Sequence, residues 1–229
     1  MYFVNHSGGA AGSDWYWNVA GKGYNVKSIN YSFKGHKTKT DNNKILTDEE
    51  LSEADSHLIT ANFKLNRRFP AKNAYINNLL RRNWYQVLNA RAIFAIGKLN
   101  IKTNIVEGGT GWAVQQAIDN KKDVFVFNVI DDIWYKSIYG RREVSFMGTD
   151  RKFKNFIPYR TPILTKDFAG IGTRDLTLEG KKAIDDVYAA TYKFYMEIKK
   201  IKEFFETVKI PYNINSIEDY DEMIITIKK

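Results

Sequence analysis

Three glycine-rich turns, each where a strand hands over to a helix, constrain this chain more than any other feature. They read Ser7-Gly8-Gly9-Ala10-Ala11-Gly12-Ser13-Asp14, Glu107-Gly108-Gly109-Thr110-Gly111-Trp112 and Phe168-Ala169-Gly170-Ile171-Gly172-Thr173-Arg174-Asp175. Glycine lets backbone amides approach an anion closely, and a following helix start adds free N–H groups and a favourable dipole. One such turn says little. Three in one chain of 229 residues point to a site that holds phosphates or a nucleotide.

The segments between the turns read as alternating strands and helices. Tyr2 to Val4 is a short apolar run, Asp14 to Ala20 the helix after it, and Lys27 to Phe33 the next strand. Gly35 to Asn43 is a polar loop. Thr47 and Glu50 form a capping box that opens a helical segment from Leu51 to Leu65. Ala74 to Asn89 has helical spacing, and Ala92 to Gly97 is a continuous apolar run suited to a buried parallel strand. Lys98 to Asn104 is a polar excursion before the second turn. Ala113 to Asp119 reads as helix and Asp123 to Val129 as a second buried strand. Ile130 to Tyr159 reads as a β-hairpin with Gly140 near its turn.

Thr177 caps a long helix, Leu178 to Val208, with one apolar face, and Pro211 stops it. Ile224 to Ile227 reads as a terminal edge strand. The fold expected is α/β: a Rossmann-like parallel sheet flanked by helices, with an inserted β-hairpin and a C-terminal helical extension. Residues 1–195 form the nucleotide-binding domain in this reading, and 196–229 the extension and tail.

Composition narrows the functional classes. No stretch approaches the roughly 18 to 20 apolar residues that cross a bilayer, and the start of the chain lacks signal-peptide character. The chain has no cysteine, which removes disulfides, thiol catalysis and cysteine-ligated zinc, and makes a cytoplasmic setting the simplest. His6, His36 and His57 lack metal-ligand spacing, so no metal is expected, and no cofactor is assigned. The net charge of +9 suits a nucleic-acid partner, but no basic run of five or six residues supports one, and solubility explains the charge as well.

Neither standard nucleotide signature is present. There is no Gly-x-x-x-x-Gly-Lys-Ser/Thr, and no Gly-x-Gly-x-x-Gly with an acidic residue at the right spacing. The first turn instead resembles the Ser-Gly-Gly-Ala-x-Gly-x-Asp loop of the SLOG superfamily, which groups DNA-processing protein A, the LOG-type phosphoribohydrolases and many nucleotide sensors. Gly170 to Arg174 is similar to the Gly-x-Gly-Ser-Arg turn those proteins carry after their first strand. Gly108 to Gln115 falls on the Gly-Gly-x-Gly-Thr-x-x-Glu motif of the LOG branch. The turn that usually comes first lies late in this chain, so the sequence looks circularly permuted.

The resemblance implies one pocket assembled from both ends of the chain. Ser7, Gly8, Gly9, Ala10, Gly12, Ser13 and Asp14 would contribute from the first turn, and Gly97 from the end of the buried strand. Gly108, Gly109, Thr110, Gly111 and Trp112 would contribute from the second turn, and Gly170, Gly172, Thr173 and Arg174 from the third. Arg174 is the strongest phosphate candidate, since a guanidinium grips phosphate bidentately. Arg81 and Arg82 lie where the LOG branch places a catalytic arginine. The LOG threonine and glutamate fall on Trp112 and Gln115, and glutamine can neither carry charge nor act as a base. Glu107 and Asp14 are the substitute acid candidates.

Binding of a nucleotide or nucleotide-derived small molecule, for sensing, carrying or sequestration, is therefore the leading expectation. Hydrolysis or transfer at a nucleotide N-glycosidic bond is the alternative, so whether the chain is an enzyme stays open. Single-stranded DNA binding of the DNA-processing protein A type is a third reading. The apolar face of the long helix offers a surface for a homodimer.

Overall fold

The computed structural model describes residues 2–40, 43–138 and 156–208, and the backbone of two short strands at 212–214 and 225–227. β1 (Phe3–Ser7) runs through the first glycine turn into α1 (Ser13–Lys22), and β2 (Val26–Phe33) follows. β3 (Asn43–Leu46) precedes three helices, α2 (Asp48–Glu53), α3 (Asp55–Leu65) and α4 (Ala74–Asn89). β4 (Ala92–Gly97) leads to a small antiparallel arm, β5 (Leu99–Asn100) with β6 (Ile105–Val106), and then to α5 (Thr110–Asp119). β7 (Asp123–Asn128), β8 (Ile133–Ser137), β9 (Phe156–Tyr159) and β10 (Asp167–Gly172) come next, before the long α6 (Leu178–Thr207). β11 (Tyr212–Ile214) and β12 (Ile225–Ile227) pair with each other, antiparallel.

Eight strands make one sheet in the order β3-β2-β1-β10-β4-β7-β8-β9. The first six are parallel, and β8 and β9 add an antiparallel edge. Counted from β10, the strands β10, β1, β2, β4 and β7 take the order 3-2-1-4-5 across the sheet, the doubly wound arrangement. The direction of winding therefore switches between β10 and β4. A crevice opens at such a point, beyond the carboxyl ends of the strands.

Alternation along each central strand builds a core on both faces. In β4, Ile93 and Ala95 face α2 to α5, together with Val124 and Val126 of β7 and Ile171 of β10. Ala92, Phe94 and Ile96 face α1 and α6, where Trp17, Ile184, Val187 and Tyr188 cover them. A strand buried on both faces has no polar alternation to show, which is why Ala92–Gly97 reads as one apolar run. Each large side chain buried this way contributes roughly 1.5 to 3 kcal/mol.

Several local expectations are met and several shift. Thr47 and Glu50 form the capping box, and Thr177 accepts from the Gly180 amide to open α6. The segment read as one helix from Leu51 to Leu65 is two, broken at Ala54, whose N–H turns back to Leu51 and Ser52. Asn43–Leu46, read as the end of a loop and its sequel, is a parallel edge strand; only Leu46 in it is buried, too little pattern to show. The third glycine turn is mostly strand. Phe168, Ala169, Gly170, Ile171 and Gly172 all lie in β10, and the turn begins at Thr173. Gly140 lies outside the described residues, between the hairpin strands β8 and β9. α6 runs unbroken through position 195. Among the described residues no helix is long and apolar enough to cross a membrane.

Candidate functional site

The first and third turns and the end of β4 are tied into one unit by backbone geometry. Gly12 has φ of 91°, and a side chain there would strike the backbone of Arg174. Ser13 then donates its N–H (3.0 Å) and its hydroxyl (2.8 Å) to the Thr173 carbonyl. The Thr173 N–H reaches Ile96 O at 2.9 Å, and the Gly172 N–H donates to Asp14 Oδ1 at 3.1 Å. The backbone of Arg174 is thus held by close packing against the start of α1.

The second turn is shaped from behind. Arg67, between α3 and α4, donates from Nη1 to Gly108 O at 2.6 Å and from Nη2 to Val106 O at 2.9 Å. In a trans peptide the C=O and N–H point opposite ways, so anchoring Gly108 O turns the Gly109 N–H away from Arg67. No side chain caps α5. The Trp112 N–H is taken by Gly109 O at 3.1 Å, so the amides that this helix start leaves free are those of Thr110 and Gly111, with the positive end of the dipole behind them.

A cleft of about 630 Å³ opens over this edge. The first turn lends it Ala10 and Asp14, the end of β4 Gly97 and Lys98, the second turn Glu107, Gly108, Gly109 and Thr110. Gly172, Thr173, Arg174 and Asp175 form another side. α4 closes it with Arg82, Asn83 and Gln86 beside the apolar Ile76, Leu79 and Leu80. The volume is that of a small-molecule site.

At the wall stands a buried ion pair. Arg82 Nη1 lies 3.6 Å from Asp14 Oδ2, and each residue is only 6% exposed. Burial raises the Asp14 carboxyl above its ordinary value, against the pull of Arg82 and the Gly172 and Gly8 amides. Burial likewise lowers Arg82, opposed first by Asp14; a guanidinium starts so high that it stays charged. Nε and Nη1 of Arg82 and Nε2 of Gln86 have no hydrogen-bond partner among the described residues.

No protein-family model matches the chain, and no curated protein and no solved structure matches it significantly. The parallel sheet flanked by helices is consistent with the SLOG superfamily and is shared with other Rossmann-like proteins.

Of the other candidate residues, Glu107 stands at the rim of the cleft and the rest lie behind it or away from it. Ser7 is buried and its hydroxyl accepts from the Gly9 amide at 3.2 Å. Gly8 lies under Arg82, whose guanidinium fills the space a side chain at position 8 would need. Gly9 (φ 60°) faces Thr40, and Gly12 and Ser13 back the third turn. Gly111 packs against the Val106 carbonyl, and Trp112 is buried beside Phe69 rather than at the cleft edge; Thr110 opens the helix instead. Gly170 sits under the Trp17 ring. Arg81 points to Asp55, with Nε 2.6 Å from Oδ1. Gln115 donates to Asp119 at 2.8 Å. Glu107 is half exposed at the rim, 3.2 Å from Lys98 Nζ. His6 is buried between Tyr31 Oη (3.0 Å) and Asp167 Oδ1 (3.3 Å), a packing role.

Sequence reasoning missed Arg67, Asn83 and Gln86. Arg82, Asn83 and Gln86 share one turn of α4, and the polar face that they make is buried rather than solvated. A polar triplet on the buried side of an amphipathic helix was the available signal. Arg67 gives none, because it lies in an irregular segment and binds carbonyls far along the chain.

Proposed function

We propose that the cleft binds a nucleotide or nucleotide-derived small molecule, held for sensing, carrying or sequestration. The observation that carries this reading is convergence: residues of all three glycine turns border one cleft at the sheet's switch point, beside an α5 start that no side chain caps. Phosphate would take the α5 amides and Arg174, and the apolar side of α4 would take the base. Equilibrium binding against nucleoside phosphates and ADP-ribose derivatives tests it. Micromolar binding that Arg174→Ala weakens is the expected result. No binding below millimolar, with the variant like the wild type, would sink it.

One observation favours a second reading, cleavage of the N-glycosidic bond. Asp14 borders the cleft, and burial raises its carboxyl against the pull of Arg82, the direction that favours a general acid. Asp14 would give its proton to the departing base as the C1′–N bond breaks, and water would bond to C1′ and return a proton to the Asp14 carboxylate. Release of free base from a nucleoside monophosphate, abolished in Asp14→Asn, would establish that reaction; intact substrate after prolonged incubation would exclude it.

A further inference from the structure

Arg82 and Gln86 stand one helical turn apart on α4, and both form the wall of the cleft. Arg82 is 6% exposed and Gln86 1%. Their three unpartnered N–H-bearing atoms, Arg82 Nε and Nη1 and Gln86 Nε2, are all donors. A buried donor left without an acceptor has lost its bonds to water and gained none in return, which is most unfavourable when it is charged. Asp14 compensates only in part, because 3.6 Å from Nη1 is ion-pair rather than hydrogen-bond distance. Gly8 supplies the room, since the guanidinium rests where its side chain would be.

This donor set is separate from the one at the α5 start. Arg174, on the third turn, is near enough for its charge to act against that of Arg82, and both arginines help hold the His36 imidazole down. Two guanidinium groups in the wall of one cleft leave a positive field there, opposed in part by the lining carboxylates Asp14, Glu107 and Asp175.

We propose that Arg82 and Gln86 form a second oxyanion subsite, so that the cleft selects ligands with two linked phosphates over those with one. The proposal rests on the nucleotide-binding reading. The first phosphate takes the α5 amides and Arg174. The second draws the buried Arg82 Nε and Nη1 and Gln86 Nε2 toward the cleft, supplying the acceptors that the protein withholds.

Calorimetric titration with adenosine, AMP, ADP and inorganic pyrophosphate tests the selection. Wild type should bind ADP at least about tenfold more tightly than AMP, a gain of about 1.4 kcal/mol. Pyrophosphate should compete with ADP. Arg82→Ala strands Asp14 in a buried site and risks misfolding, so two milder variants carry the test. Gln86→Leu removes one donor at similar volume, and Gly8→Ala pushes the guanidinium from its seat. Each should narrow the preference to about threefold or less while AMP affinity stays within about twofold. Equal binding of AMP and ADP by wild type would overturn the second subsite and leave the nucleotide reading standing. So would a preference that survives in both variants with unchanged melting temperatures. Failure of every nucleotide to bind would remove both.

Discussion

Arg67 Nη1 donates to the carbonyl of Gly108 at 2.6 Å, across 41 positions of sequence, and so fixes the outward face of the second glycine turn from the inward one. Its Nη2 holds Val106 O in the same grip. Arg67→Ala removes two charge-assisted bonds from a half-buried site and should cost about 1 to 2 kcal/mol of stability. It should also weaken nucleotide binding about tenfold, because the Gly109 amide is no longer aimed. Arg67→Lys should restore little, a point charge being unable to hold two carbonyls at once. Denaturation midpoints and binding isotherms of the two variants check this; full affinity in Arg67→Ala would show that the turn needs no support.

The glycines of the turns should separate sharply by substitution. Gly12 has φ of 91° and its missing side chain faces the Arg174 backbone, so Gly12→Ala carries both a conformational and a steric penalty. A loss of about 2 to 4 kcal/mol is expected. Gly109 has φ of −63° with open space around its Cα, and Gly109→Ala should leave stability within about 0.5 kcal/mol. If Gly109→Ala folds normally yet binds nucleotide poorly, the glycine serves the approach of a ligand. Equal destabilisation by the two would mean that both are turn formers only.

The sheet was legible because β4 and β7 are apolar on both faces and because β1, β4 and β10 run into glycine. The order of strands was not. β10 lies between β1 and β4 by pairing across more than 160 positions on one side, as in Asn5 opposite Phe168, and more than 70 on the other, as in Phe168 opposite Ala92, and no local pattern encodes either neighbour. The glycines misled for a related reason. Gly170 is in β10 because the Trp17 ring lies where its side chain would be, and Gly172 because Ile96 O and Ser13 press close. Glycine that admits a ligand and glycine that admits an indole look alike in sequence. Arg81 and Arg82 were equally ambiguous until the rotation of α4 placed one outward and one inward.

That rotation makes a prediction of its own. Arg81 is paired with Asp55 at a half-exposed surface, through Nε to Oδ1 at 2.6 Å and Nη2 to Oδ2 at 2.8 Å. Arg81→Ala should cost no more than about 1 kcal/mol and leave nucleotide binding untouched. Loss of binding in that variant, with an unchanged melting temperature, would contradict the assignment of Arg82 as the residue facing the cleft.

Acid should expose the histidines. His36 stacks on Phe33, bonds Ser32 Oγ through Nδ1 at 3.0 Å, and faces Tyr75 from α4. Burial, then the charges of Arg82 and Arg174, bring its pKa from 6.5 to about 4. Between those values the unfolded chain binds a proton that the folded chain refuses, so stability falls as pH drops through this window. At about 1.4 kcal/mol per pH unit the limit is about 3 kcal/mol, and water around a half-buried ring reduces it to about 1 to 2. His6 and His57, also lowered by burial, act in the same sense. Asp14 acts in the opposite one, since a raised carboxyl favours the folded state on the acid side. Urea denaturation at about pH 7, 5.5 and 4.5 should show His36→Phe losing less stability than wild type. Parallel curves would mean that the fold does not hold the ring below its ordinary pKa. An anion bound between them should reverse their effect, so the His36 titration followed by NMR should move upward when ADP is added, and a fixed midpoint would place the phosphates elsewhere.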